Sequence, residues 1–261
     1  MSGKNSLIEK TEEMLLKNLE IIYEDDDIIL CHKPAGVATQ TKRLGQQDME
    51  SLLKNYRAKK GEPPYIGIVH RLDQPVEGIM VFAKNQKAAA SLSKQIQEKI
   101  IGKYYYAVSA YKPQKESGVL EHYLITDKKT NFTQVVEENS EKEPKFAKLE
   151  YRVIQTTEEK TVFDIKLHTG RQHQIRVQMA QIGCPLIGDE KYGVKLQELE
   201  NTMNDEVIQQ NSDNLYRKNR KLHELLALCS YRLQFQHPTT KKQMDFFISP
   251  KGKVFGSINL Q

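Results

Sequence analysis

Residues 70–73 read His70-Arg71-Leu72-Asp73, an imidazole, a guanidinium and a carboxylate within four positions. Apolar runs flank them, in the stretch "IGIVHRLDQPVEGIMVFAKNQ" at 66–86. A carboxylate at a strand-to-loop junction can act as a nucleophile or as a base. Arg71 beside it can reach a phosphate or enter a base stack. Asp73 can equally close a turn through side-chain to backbone hydrogen bonds.

A second constellation is "LHTGRQHQIRVQMAQIG" at 167–183. On a helical wheel, His173, Arg176, Val177 and Ala180 cluster largely opposite an apolar stripe of Ile175, Met179 and Ile182. Arg176 presented in this way can pair with a carboxylate elsewhere and hold it ionised. The alternative is a solvated helix face. His168 and His173 are five residues apart, which is not the i,i+4 pairing of a helical zinc site, so no metal is expected. In "KYYYAVSAY" the three tyrosines alternate faces, and Tyr105 points away from Tyr104 and Tyr106. Such a ring can stack on an exposed base or pack in a core. The "KPAG" at 33–36 reads as a turn.

These residues need elements to hold them. Residues 7–20 carry leucines at roughly helical spacing and suggest a short leading helix. "IIYEDDDIILCHKPAG" suggests two strands around an acidic turn. A helix is expected near 47–60, ended by Gly61-Glu62-Pro63-Pro64. "GIMVFAK" at 78–84 has strand length, and Asn85 can then cap a helix with Ala88, Ala89, Leu92, Ile96 and Ile100 on one side. Strands are expected at 103–111, 118–124, 132–136, 146–155 and 160–168. A helix follows, stopped by Gly183 and Pro185. Residues 194–221 are polar and end in Arg217, Lys218, Arg220 and Lys221, which suggests an exposed insertion. "LCSYRLQFQHP" and "KQMDFFI" suggest a closing hairpin. Many strands with few helices argue for an α+β domain with a mainly antiparallel, mixed sheet and flanking helices.

The bulk composition bounds the function. The 261 residues carry a net charge of +5, which suits a partner with phosphates without demanding one. Three widely spaced cysteines, with no CxxC, indicate neither a disulfide framework nor a zinc knuckle. Reduced thiols and a charged N-terminus without an apolar leader lead to a cytoplasmic expectation. No apolar run approaches the ~18 residues of a membrane span.

Taken in order, these motifs resemble one family. "HKPAG", "HRLD" followed by Gly78 and an apolar run to Ala83-Lys84, "KYYYAV", "TGRQHQIR", "IGCPLIGDEKYG" and "LQFQHP" are similar to the RluA-type pseudouridine synthases, across nearly the whole chain. The resemblance implies a pseudouridine synthase fold and the isomerisation of uridine in RNA, without cofactor or metal. It implies that Asp73 is the catalytic carboxylate, that Arg176 pairs with it, and that Tyr105 packs against the target uracil. Arg71, with His70, Lys33, Arg171 and His173, is assigned to RNA binding. The implied partner is structured RNA, ribosomal or transfer, met by a monomer. A leading helix at 1–20 and a catalytic domain at 21–261 are expected, the insertion lying at about 194–221. Twenty residues are too few for the S4 RNA-binding domain that members often carry. The chain departs from the family pattern at Val76-Glu77, where Thr-Ser is usual, and at Cys229-Ser230, where His-Ala is usual. The alternative is a catalytically silent RNA-binding or ribosome-assembly factor.

Overall fold

The computed structural model describes residues 19–43, 46–140, 143–193 and 225–256. The expected leading helix and the 194–221 insertion, with its basic end, lie outside the described residues. Two compact units are formed. One comprises residues up to Ile101 together with Ser230–Ile248. The other comprises Gly102–Cys229 and the C-terminal residues from Ser249.

In the first unit, β1 (Glu20–Glu24) and β2 (Ile28–Lys33) form an antiparallel hairpin. Its acidic turn is closed by Asp25, whose carboxylate accepts from the backbone N–H of Asp27 and Ile28 at 2.9 Å. Helix α1 (Met49–Lys59) is capped by Asp48, which accepts from the Ser51 N–H. A two-residue strand, β3 (Gly67–Ile68), and β4 (Glu77–Ala83) follow, antiparallel to each other. Strand β4 is wholly buried and also pairs with β2. Asn85 caps α2 (Gln86–Gln97), as expected from its sequence position, by accepting from Ala88 N–H. The helix ends before Ile100, which is exposed and so does not extend the apolar face.

The second unit holds β5 (Gly102–Ser109), β6 (Ser117–Asp127), β7 (Phe132–Val136), β8 (Lys145–Thr156), β9 (Thr161–Leu167) and α3 (Gln174–Gln181). Its strands lie in the order β5-β9-β8-β6-β7, with antiparallel ladders. Phe163, Ile165 and Leu149 are fully buried on these strands. The chain then returns to the first unit through β10 (Leu228–Gln236) and β11 (Gln243–Phe247), an antiparallel hairpin at the expected place.

The first unit's core joins Ile28, Leu30, Ile79 and Val81 to Ala88 and Leu92 of α2 and to Leu233 and Phe235 of β10. Each large apolar side chain removed from water here contributes about 1.5–3 kcal/mol. Gln95 of α2 behaves as an extra strand edge: its amide donates to Gln236 O at 2.8 Å and accepts from Gln236 N–H at 2.9 Å. This packing makes β4 a rigid base for the loop that precedes it. Among the described residues no helix is long and apolar enough to cross a membrane.

Candidate active site

Asp73 lies on the loop between β3 and β4, half-buried. Its neighbours in the chain are tied down on both sides. Thr39 Oγ1 donates to Leu72 O at 2.9 Å and accepts from Leu72 N–H at 3.2 Å, so one hydroxyl satisfies both polar groups of that residue. Gln74 O accepts from Gly36 N–H at 2.8 Å, and the Gln74 amide donates to Gly36 O at 2.9 Å. Val76 N–H donates to Asp73 O at 3.0 Å and closes the turn. The "KPAG" turn is therefore the cradle of the "HRLD" loop. The sequence shows both motifs but not that one holds the other.

Lys33 sits beneath this loop, fully buried. Its ammonium donates to Pro34 O at 3.0 Å, Val37 O at 2.6 Å and Gln74 O at 3.2 Å. Burial pushes Lys33 down to about 8, while the nearby Asp73 and Glu77 carboxylates pull it upward. Lys33 is thus not a surface contact for RNA, as the resemblance assigns it. Its three protons hold carbonyls of the cradle.

His70 also has structural work. Its Nε2 accepts from Val81 N–H at 3.1 Å, which requires that nitrogen to be unprotonated and fastens the loop to β4. Arg71 is exposed on the same loop, in reach of an external partner. Glu77, in place of the usual small hydroxyl residue, is buried 3.5 Å from His32 Nε2.

In the second unit, Tyr105 is buried on β5 opposite Ile165. Helix α3 begins after His173, which takes a left-handed backbone conformation (φ 53°). Arg176 points its fork at Asp189: Nε donates to Oδ2 at 2.8 Å and Nη2 to Oδ1 at 2.7 Å. Asp189 Oδ1 also accepts from the N–H groups of Lys191 and Tyr192, both at 3.1 Å. The Arg176 guanidinium lies over the Tyr192 ring, 5.1 Å from its centroid. Tyr192 Oη accepts from Thr133 N–H at 3.0 Å and shares a 2.7 Å hydrogen bond with His173 Nδ1. Burial raises the Tyr192 phenol above its ordinary value, so it stays protonated. His173 and Arg176 therefore meet at one tyrosine.

Asp189 and Tyr192 belong to "GDEKYG", a stretch that carries the family resemblance but to which sequence reasoning gave no role. The signal was there: an acid and an aromatic three residues apart, bounded by glycines. The solvated-face alternative for α3 does not hold, since Gln174 through Met179 are all buried. Two of its glutamines are stitched into the sheet. Gln174 donates to Lys148 O at 3.1 Å, and Gln178 donates to Leu120 O at 3.1 Å. Arg171, by contrast, is exposed, with Nε donating to Phe146 O at 2.9 Å.

A half-buried carboxylate on a clamped loop is a feature of sites that stabilise developing positive charge. A family model described as RNA pseudouridylate synthase matches residues 27–181, and the chain belongs to that family. It is 36% identical over 177 residues to the dual-specificity RNA pseudouridine synthase RluA of Vibrio vulnificus, covering 66% of this chain and 68% of that protein. It is 33% identical over 239 residues to an uncharacterized RNA pseudouridine synthase of Aquifex aeolicus, covering 88% of this chain and 69% of that protein. With ribosomal large subunit pseudouridine synthase C of Rickettsia felis the identity is 33%, and the match spans 67% of this chain but 56% of that relative's length. The fold is that of human RNA pseudouridylate synthase domain containing 4, with a TM-score of 0.70 at 20% identity, covering 93% and 94% of the two chains. The α+β expectation holds.

Proposed function

We propose that this chain isomerises specific uridines to pseudouridine in structured RNA, ribosomal or transfer, with Asp73 as the catalytic carboxylate. The observation that carries this reading is the cradle: Leu72 and Gln74, on either side of Asp73, are hydrogen-bonded to Thr39, Gly36 and Lys33. A loop held so tightly places one carboxylate reproducibly, as chemistry at a single atom requires.

In this reading the N1–C1′ bond of the uridine breaks and positive charge builds at C1′. A carboxylate beside that carbon stabilises the charge or bonds to it. The uracil turns, C5 bonds to C1′, the proton on C5 leaves, and N1 gains one. No electrons are exchanged with another molecule. The base must leave its stack first, at a cost of about a few kcal/mol. Stacking on Tyr105 offsets about 1–3 kcal/mol of that. Arg176, held by Asp189, supplies a fixed cation, and Arg71 meets the RNA from the Asp73 loop. Cys31, Cys184 and Cys229 are buried and not disulfide-bonded, which supports a cytoplasmic place of action.

The test is tritium release from RNA transcribed with C5-tritiated uridine, run on ribosomal and transfer RNA fractions separately. The wild-type protein releases label from one fraction or both, and Asp73→Asn releases none while still binding. Normal release by Asp73→Asn removes Asp73 from the mechanism. Binding without release by the wild type favours a silent RNA-binding role.

A further inference from the structure

Lys103 breaks the pattern of its strand. It is two residues from Tyr105 on β5, so both side chains leave the same face. That face carries buried neighbours: Tyr105 opposes Ile165, and Leu167 follows two residues along β9. An apolar residue is expected at such a place, yet a lysine stands there. Burial depresses its ammonium below the ordinary lysine value, and no carboxylate compensates it.

The Lys103 ammonium has no hydrogen-bond or ion-pair partner among the described residues. Its nitrogen lies 3.3 Å from the point where a Cβ on Gly170 would stand. Gly170 is exposed. The side chain therefore runs along the buried face and emerges beside a bare backbone position. The next residue, Arg171, is also exposed, and its guanidinium donates through Nε to Phe146 O. Two other cations of this unit are paired: Lys148 with Glu121 at 2.8 Å, and Arg152 with Asp164 at 3.1 Å. A half-buried charge with no counter-charge is costly unless an anion arrives to meet it.

We propose that Lys103 contacts the RNA directly and binds a backbone phosphate next to the target uridine, with Gly170 kept without a side chain so that the ammonium can reach it. The distance along the strand suits this. Two residues of β-strand advance about 6–7 Å, comparable to the reach from a stacked base to its own phosphate. Lys103 thus acts on the phosphate while Tyr105 holds the base. This inference rests on the RNA-modifying reading above, but it concerns binding and not turnover.

The experiment measures the affinity of ribosomal RNA and of a synthetic RNA stem–loop with one loop uridine, by fluorescence anisotropy, between about 50 and about 200 mM salt. Wild type, Lys103→Met, Lys103→Gln and Lys103→Arg are compared, each with its thermal midpoint. Removing one phosphate contact lowers the slope of log affinity against log salt by about 1. Lys103→Met and Lys103→Gln are expected to bind about tenfold more weakly at the lower salt, with that smaller slope. Lys103→Arg is expected to retain most of both. Unchanged affinity and slope in Lys103→Met on both RNAs overturns the proposal. So does weakened binding at an unchanged salt slope, which marks a packing role, and so does a fall in turnover at unchanged affinity. Absence of tritium release by the wild type counts against the reaction and leaves this binding result intact, so the two readings fail separately.

Discussion

The Lys33 ammonium donates to the carbonyl of Gln74, the residue after Asp73, at 3.2 Å, from a side chain with no exposure to solvent. The same ammonium donates to Pro34 O and Val37 O. It ties the segment after β2 to the loop that carries Asp73. Lys33→Met keeps the volume and removes all three donors to Pro34 O, Val37 O and Gln74 O. A loss of about 2–4 kcal/mol in stability is expected, below a simple sum because the buried charge also goes. Turnover should fall more than RNA affinity, since the variant loosens Asp73 and removes no surface cation. Urea unfolding and kcat against KM check this; wild-type values for both contradict the cradle.

Asp189 has no exposed side-chain surface, and both its oxygens accept from Arg176. Asp189→Ala removes the two hydrogen bonds that the buried Arg176 guanidinium donates to that carboxylate. The expected cost is about 3–5 kcal/mol, the usual penalty for breaking a buried pair from one side. Arg176→Lys retains the charge but not the two-pronged geometry, and should cost less stability than Asp189→Ala. If the two variants unfold at the same denaturant concentration, the fork is not what matters.

Gly78, the second residue of β4, has a backbone φ of +143°, and an added Cβ would lie 2.5 Å from Ser230 N. Neither the conformation nor the space tolerates a side chain. Gly78→Ala should shift β4 against β10 and destabilise the first unit by about 2–4 kcal/mol. A circular-dichroism melt decides it: a midpoint within a degree or two of wild type would show that the strand absorbs the methyl group.

The elements were legible in the sequence because their signals are local. The Asn85 cap, the acidic turn of β1–β2 and the β10–β11 hairpin each depend on a few adjacent residues. The extent of the buried surface was less legible. Helix α3 reads as amphipathic because glutamine and arginine count as polar, yet Gln174, Arg176 and Gln178 are buried with their polar atoms bonded. Composition cannot tell a solvated amide from one satisfied by a strand carbonyl. The role of Lys33 was hidden for a similar reason. A lysine in a turn motif looks like a phosphate contact until three carbonyls, one of them on a residue 41 positions away, are seen around it. Asp73 was legible only because the motif around it is specific.

The acid stability of the first unit should depend on a surface network that links α1 to the end of β4. Glu62 accepts from Arg57 Nε at 3.0 Å and lies 3.1 Å from the Lys84 ammonium. Lys84 also donates to Glu24 at 2.8 Å. The hydrogen bond from Lys84 is the chief reason that the Glu62 carboxyl is held down at about 2, with Arg57 adding to it and slight burial opposing it. Glu24 is lowered as well: its partial burial opposes ionisation, but Lys84, Lys60 and Tyr56 outweigh that. A carboxyl that binds its proton less readily folded than unfolded favours the folded state above its unfolded value, near 4.5 for Glu62. That contribution is lost as the pH falls toward about 2. Glu62→Gln removes the titration. The stability difference between wild type and this variant should therefore be full at neutral pH and shrink between about pH 4.5 and about pH 2. Urea midpoints at several pH values across that window measure it. Because Glu62 is partly exposed, raised salt should reduce the neutral-pH difference too. A difference that stays constant from neutral to acid pH would mean that Glu62 acts through packing and not through its charge.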